Sequence, residues 1–188
     1  VTRINTDGST DTGFGTNGIA SHSLYSGRCF GLGVQSDGKI IIGGEGNGVF
    51  VGRLNTSGSI DNTFGTNGKT TVTFGYYVEC QGLAIQPDDK IIQAGFGNND
   101  IQVIRYNANG TLDNTFDGDG RLSTNLGAVE NAYGVAVNNN KIIVCGTEGI
   151  IGGEINQRVL VLRYNSDGSF DTSFGPGYAR VDYGGGYA

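Results

Sequence analysis

Histidine occurs only once in this chain, at His22, and that scarcity excludes much of enzyme chemistry. A Ser-His-Asp arrangement needs a histidine oriented by a partner, and nothing around His22 specifies one; a metal-histidine set cannot be assembled from a single copy. Alignment with later repeats places it on a surface strand. The three cysteines contain no C-x-x-C pair, which rules out the familiar zinc and redox spacings, and their odd number argues against a disulfide framework. Cys29, Cys80 and Cys145 are expected to be small buried hydrophobes. No apolar run approaches the roughly 20 residues that cross a bilayer, so membrane insertion is not expected. Positive charge is also sparse. Lys and Arg total 12 against 18 acidic residues, for a net charge of −6. No basic stripe is present to displace counterions from a phosphate backbone, so nucleic acid is not expected as a partner. Val1 is followed by neither a basic n-region nor an apolar h-region, which leaves a removed signal peptide or an excerpt of a longer chain. Helical periodicity is missing throughout.

What the chain does have is glycine, 35 residues of it, arranged in a period. The phrase DGSTDTGFGTNG at 7–18 returns as SGSIDNTFGTNG, NGTLDNTFDGDG and DGSFDTSFGPG, with marker glycines Gly8, Gly58, Gly110 and Gly168 spaced 50, 52 and 58 apart. Half a period out of phase run GLGVQSDGKIIIGG, GLAIQPDDKIIQAG and GVAVNNNKIIVCG, whose Lys39, Lys90 and Lys141 are 51 apart. Each repeat of about fifty residues contains four short strand candidates, for example 29–35, 39–45, 49–55 and 68–74. Four strands per such period is the signature of a β-propeller blade.

Burial pattern supports this choice. The second and third strands are apolar on both faces, as in Ile40, Ile41 and Ile42, and so must be covered on both sides by neighbouring blades. The fourth strand is polar, with Thr71 and Thr73 or Ser123 and Asn125, and suits a solvent-facing rim. The first carries Gly31 and Gly33, fitting the crowded space near a propeller axis. The expected fold is an all-β propeller of four-stranded antiparallel blades. About three and a half blades are present: an outer strand pair at 1–24 and blades at about 29–74, 80–126 and 132–184. The first pair lacks inner strands of its own, which points to an excerpt of a longer chain or to closure through another subunit.

Within the repeated phrase the glycine meets a tight turn that needs positive φ. Phe14, Phe64, Phe116 and Phe174 follow six residues later and suit an aromatic plug. Asp11, Asp61, Asp113 and Asp171 recur with Arg3, Arg53, Arg105 and Arg163, predicting an Arg–Asp pair or a carboxylate that caps loop amides. RYNSDGSFDTSFG from Arg163 and QPDDKI from Gln86 resemble the delta-60 repeat, a bacterial β-propeller repeat, and the resemblance covers nearly the whole chain. It departs at 138–140, where three asparagines replace Pro-Asp-Gly, and at Asp117, which replaces glycine. The resemblance implies a propeller in a large secreted or surface protein, with no catalytic or ligand residues to carry over.

The repeated acids argue for scaffolding, because a glycosidase needs one singular pair. The chain is therefore expected not to be an enzyme and to need no cofactor. Calcium is the alternative: Asp117 and Asp119 in FDGDGR place carboxylates around glycine as calcium loops do. The least repetitive loops are the candidates for binding, since repeat-wide residues are explained by folding. One is GYYVEC at 75–80, with Tyr76, Tyr77 and Glu79, where packing between blades competes with an exposed contact surface. The other is TEGIIGGEINQR at 147–158, with Ile150, Ile151, Glu154 and Ile155. The expected function is adhesion or recognition of a protein or glycan ligand in an extracellular or cell-surface setting. The alternative is a structural component of a fibre, coat or phage particle that associates with copies of itself.

Overall fold

The turn between the first two strands is closed by Gly38, whose φ of 79° only glycine adopts freely. Its amide donates to the Gln35 carbonyl at 2.9 Å, and the Gln35 amide donates to the Lys39 carbonyl at the same distance. In the second copy Asp89 holds the left-handed conformation at φ 63°, and in the third Asn139 and Asn140 do so. Asparagine and aspartate tolerate this region, so the sequence departure at 138–140 keeps the reversal. A computed structural model of the chain describes residues 1–23, 27–149 and 158–182.

Twelve strands result: β1 (Arg28–Val34), β2 (Ile40–Gly46), β3 (Gly48–Leu54), β4 (Lys69–Val72), β5 (Val78–Ile85), β6 (Ile91–Gly97), β7 (Asp100–Tyr106), β8 (Arg121–Thr124), β9 (Val129–Asn138), β10 (Lys141–Gly149), β11 (Arg158–Tyr164) and β12 (Tyr178–Asp182). They form three four-stranded antiparallel sheets, each with its strands in chain order. The inner strands β1, β5 and β9 pack on one another. Glycine is required there. A Cβ on Gly31 would come within 2.3 Å of Leu83, and one on Gly82 within 2.9 Å of the Val135 amide nitrogen.

The core lies between sheets rather than within them. Ile41, Val49, Val51 and Phe64 of the first sheet interleave with Ile91, Ile104 and Tyr106 of the second. Ile92, Ile101, Val103 and Phe116 meet Ile142, Leu160, Leu162 and Tyr164 of the third. This buries β6 on both faces, whereas the second face of β2 is covered by Phe14 and Ala20, which pack with Ile40, Ile42 and Leu54. On β10 burial alternates, because one face of the third sheet meets no further sheet among the described residues.

Two expectations are corrected. Residues 1–23 form no strand, only isolated bridges such as Thr2 with Ile19 and Ile4 with Thr10. A two-stranded ribbon without an inner strand to pair with cannot sustain a ladder. Of the cysteines, Cys80 is buried but Cys29 and Cys145 are exposed. Cys145 lies on the uncovered face of the third sheet, and Cys29 on the inner edge strand β1.

The meander gives the blades two distinct ends. At one, the repeated phrase and the 35–39, 86–90 and 138–141 turns cluster. At the other lie the β2–β3 and β6–β7 hairpin tips, the 73–77 connection, and the ends of β10 and β11 that flank the long insertion.

Candidate binding surface

At the phrase end, each repeat builds the same joint. Arg3, Arg53, Arg105 and Arg163 bring Nε to 2.7, 2.9, 2.7 and 2.7 Å from Oδ2 of Asp11, Asp61, Asp113 and Asp171. The contact is an aligned hydrogen bond at Arg3 and Arg163 and an ion pair without that alignment at Arg53 and Arg105. The other carboxylate oxygen caps the loop, accepting the amide of Gly13, Thr63, Thr115 or Ser173. Both sequence alternatives, pairing and capping, are thus realised by one side chain. Each guanidinium lies over the repeated phenylalanine, 4.6 to 4.8 Å from the ring centroid.

The joint also reaches the following repeat. Nη1 of Arg3, Arg53 and Arg105 donates to the carbonyl of Thr56, Ala108 and Ser166 respectively. The amides of Gly15, Gly65 and Asp117 donate to the carbonyls of Ser57, Asn109 and Asp167. Phe14, Phe64 and Phe116 seat against Gly58, Gly110 and Gly168 of the next turn. Electrostatics follow the geometry. Burial pushes the carboxyls of Asp61 and Asp113 up, but the Thr63 or Thr115 hydroxyl and amide, with the neighbouring lysine and arginine, outweigh it and hold each at about 2. Asp171 is held at about 2 chiefly by the Ser173 hydroxyl. These acids are committed to the fold.

Asp119 Oδ1 accepts the Arg121 amide at 2.9 Å, and Asp117 occupies a left-handed position at φ 49°. Burial and the charge of Asp119 push the Asp117 carboxyl up. Among the described residues no third His, Cys, Asp or Glu joins this pair in a metal-binding group. The His22 ring is engaged with the Gly58 carbonyl at 2.8 Å.

The hairpin end holds the singular residues. Tyr76 and Tyr77 are exposed, Tyr77 by 64%. Together with Gly46, Asn47, Gly48, Thr73, Phe74 and Val78 they line a cleft of about 190 Å³. Phe74 and Tyr76 lean together at 5.7 Å between centroids. The Tyr77 hydroxyl donates to Glu45 Oε1 at 3.0 Å, and Arg28 Nη1 lies 3.8 Å from the same oxygen. Glu45 Oε2 is buried without a protein partner. Burial and the hydrogen bond to Glu45 push the Tyr77 phenol up, which keeps it a donor. Glu79 accepts a hydrogen bond from Gln81.

Bulges on the inner strands add to this end. The registers of β1, β5 and β9 each skip one residue, leaving Phe30, Gln81 and Tyr133 as the extra residues near the axis. Bulges re-aim side chains, and here Phe30 and Tyr133 are left exposed.

The structure therefore brings Tyr76, Tyr77 and Glu79 to one end. Ile150, Ile151, Glu154 and Ile155 lie outside the described residues. Glu45 and Arg28 were missed in the sequence. Their signal was present: Glu45 is an acid in the otherwise apolar IIIGGEG, at a position filled by Phe96 and Thr147 in the other repeats.

Three consecutive four-stranded antiparallel meanders packed face to face define a β-propeller. The family model described as domain of unknown function (DUF5122) beta-propeller matches residues 35–64, 86–116 and 138–174, just over half of the chain. The chain belongs to this β-propeller repeat family. No curated protein matches it. Among solved structures it is similar to an α-L-arabinofuranosidase (CtGH43) from Clostridium thermocellum ATCC 27405, at 14% identity and TM-score 0.47, over 81% of this chain and 49% of that one. The chain thus spans about half the length of that enzyme. It is also similar to a protein of unknown function from Bacteroides caccae, at 10% identity and TM-score 0.38, over 83% and 87% of the two chains.

Proposed function

We propose that this chain is a non-catalytic recognition module, of the delta-60 type, in a secreted or surface-displayed bacterial protein, and that it adheres to hydroxyl-rich ligands such as glycans through its hairpin end. The observation that carries this reading is Glu45: a buried carboxylate with Oε2 unpartnered, beside an exposed tyrosine that already donates to Oε1. A buried charged acceptor left unpaired costs stability, and a hydroxyl donor from a ligand would satisfy it. Tyr76 and Tyr77 add flat, amphipathic contact area, the kind that dominates binding energy at interfaces.

The repeated acids support a non-catalytic reading, because Asp61, Asp113 and Asp171 are each consumed by arginine, lysine and loop donors. A glycan array probed with the purified chain tests the proposal. Binding is expected to be lost with Tyr77→Ala and with Glu45→Gln, and kept with Ser57→Ala at the opposite end. Absence of any glycan binding by the unaltered chain, or binding indifferent to Tyr77, would overturn it.

A further inference from the structure

The joint between repeats has two halves, and the two extremes of the described fold carry one half each. In the first three copies the phenylalanine is fully buried against the next turn; Phe174 is only half-buried. Gly175 N–H and Arg163 Nη1, equivalent to the donors that cross to the next repeat, bond to nothing among the described residues. Beside them the third sheet shows a face whose Ile143, Val159 and Val161 are partly open, although their counterparts Ile41 and Ile92, Val49 and Ile101, and Val51 and Val103 are completely buried.

The first copy has the opposite deficit. A Cβ on Gly8 would meet nothing within 4 Å, whereas one on Gly58, Gly110 or Gly168 would touch the preceding phenylalanine. The Thr6 and Asp7 carbonyls, equivalent to the two acceptors of the joint, receive no hydrogen bond among the described residues. Ile4 is 65% exposed, while its counterparts Leu54, Tyr106 and Tyr164 are buried at 1%, 0% and 1%.

We propose that a second copy of this chain docks its 4–9 turn onto the third sheet of the first, with Phe174 seated on Gly8, Arg163 and Gly175 donating to Thr6 and Asp7, and Ile4 covering the open apolar face. This goes beyond ligand recognition at the hairpin end and uses the opposite end of the blades. The occupant follows from continuity, since the same contacts join the repeats three times within one chain. Because the two patches differ, the contact is head to tail, and successive copies add in one direction to give a ring or a filament.

The test is complementation between two variants of the full chain, read by sedimentation velocity across a concentration series. Ile4→Asp disables only the 4–9 turn and alters an exposed side chain; Phe174→Ala disables only the third-sheet half. Gly8→Asn is a second turn variant, since asparagine tolerates positive φ and has open space here. The unaltered chain is expected to associate with rising concentration. Each variant alone should lose association by at least about tenfold in Kd. An equimolar mixture of Ile4→Asp with Phe174→Ala should restore a 1:1 heterodimer and stop there, because only one intact pair of patches remains. A chain that stays monomeric at millimolar concentration, variants that associate like the parent, or a mixture without heterodimer would each overturn the proposal.

Discussion

Replacing Arg105 by methionine removes the centre of one joint while keeping much of the side chain's apolar length. Its Nε lies 2.7 Å from Asp113, and the two side chains are 3% and 4% exposed. Breaking a buried pair by deleting one partner costs about 3–5 kcal/mol, because the remaining charge stays buried. Two features pull this toward the lower bound: Lys90 Nζ stays 3.1 Å from the same oxygen, and Thr115 still donates its amide and hydroxyl to the other. Loss of the guanidinium from over Phe116 adds about 1 kcal/mol, giving roughly 4 kcal/mol in all. Arg3→Met removes the corresponding aspartate, carbonyl and ring contacts, without the hydroxyl contact that Arg105 makes to Thr115, and there the side chains are 39% and 28% exposed, so the expected cost is about 1 kcal/mol or less. Urea unfolding followed by tyrosine fluorescence measures both. A gap of at least about 2 kcal/mol between the two variants, at unchanged m, is expected. Equal costs at the two positions would refute the claim that burial between sheets, rather than the Arg–Asp contact itself, sets the strength of the joint.

Acid should loosen the fold through the same carboxylates. Asp61, Asp113 and Asp171 sit at about 2 when folded against an ordinary 3.8, so the stability they confer is complete above about pH 4 and is lost as pH falls through 2. Urea midpoints measured from pH 5 to pH 2 should fall across that window, and Asp113→Asn should flatten the slope; a midpoint indifferent to pH there would contradict the assignment. Thiol labelling separates the cysteines: Cys29 and Cys145 should react in the native protein at rates near those of free thiols, whereas Cys80, buried and with its thiol pushed up by that burial, should react only on unfolding. Three fast equivalents would show that β5 is not packed as described.

The blade pattern was legible because it rests on period and on two-faced burial, both of which survive in composition. Ile40, Ile41 and Ile42 can be apolar in a row only where both faces are covered, and on β2 the second sheet covers one face while Phe14 and Ala20 of the first repeated phrase cover the other. The Arg–Asp–Phe set was legible for the same reason: four copies at fixed spacing announce a shared contact. Two things were not. Cysteine's hydrophobic character made all three read as buried, but Cys145 lies on a face of the third sheet that meets no further sheet among the described residues. Glu45 sits alone in one repeat, so no periodicity marks it, and its proximity to Tyr77, 32 residues away, arises from the pairing of β1, β2 and the 73–77 connection. Contacts that repeat are written in the sequence. A site used once is created by topology.

That division also has a physical basis in the two ends of the blade. At the phrase end, turn glycines with positive φ, the committed aspartates and the inter-repeat hydrogen bonds leave little room for substitution, since each residue there serves its own turn and the neighbouring repeat at once. A change at Gly110, for instance, would drive a Cβ to 2.7 Å from Phe64 of the preceding joint. At the hairpin end the equivalent positions are free to differ: Glu45, Phe96 and Thr147 occupy one position on successive sheets, and Arg28 and Glu79 share another. The backbone ladders there close without help from these side chains, so they can vary without breaking the pairing between strands. A repeat fold whose repeated joint lies at one end can therefore carry a different surface at the other in each copy, and in this chain that surface is the one bearing Tyr76, Tyr77 and the unpartnered oxygen of Glu45.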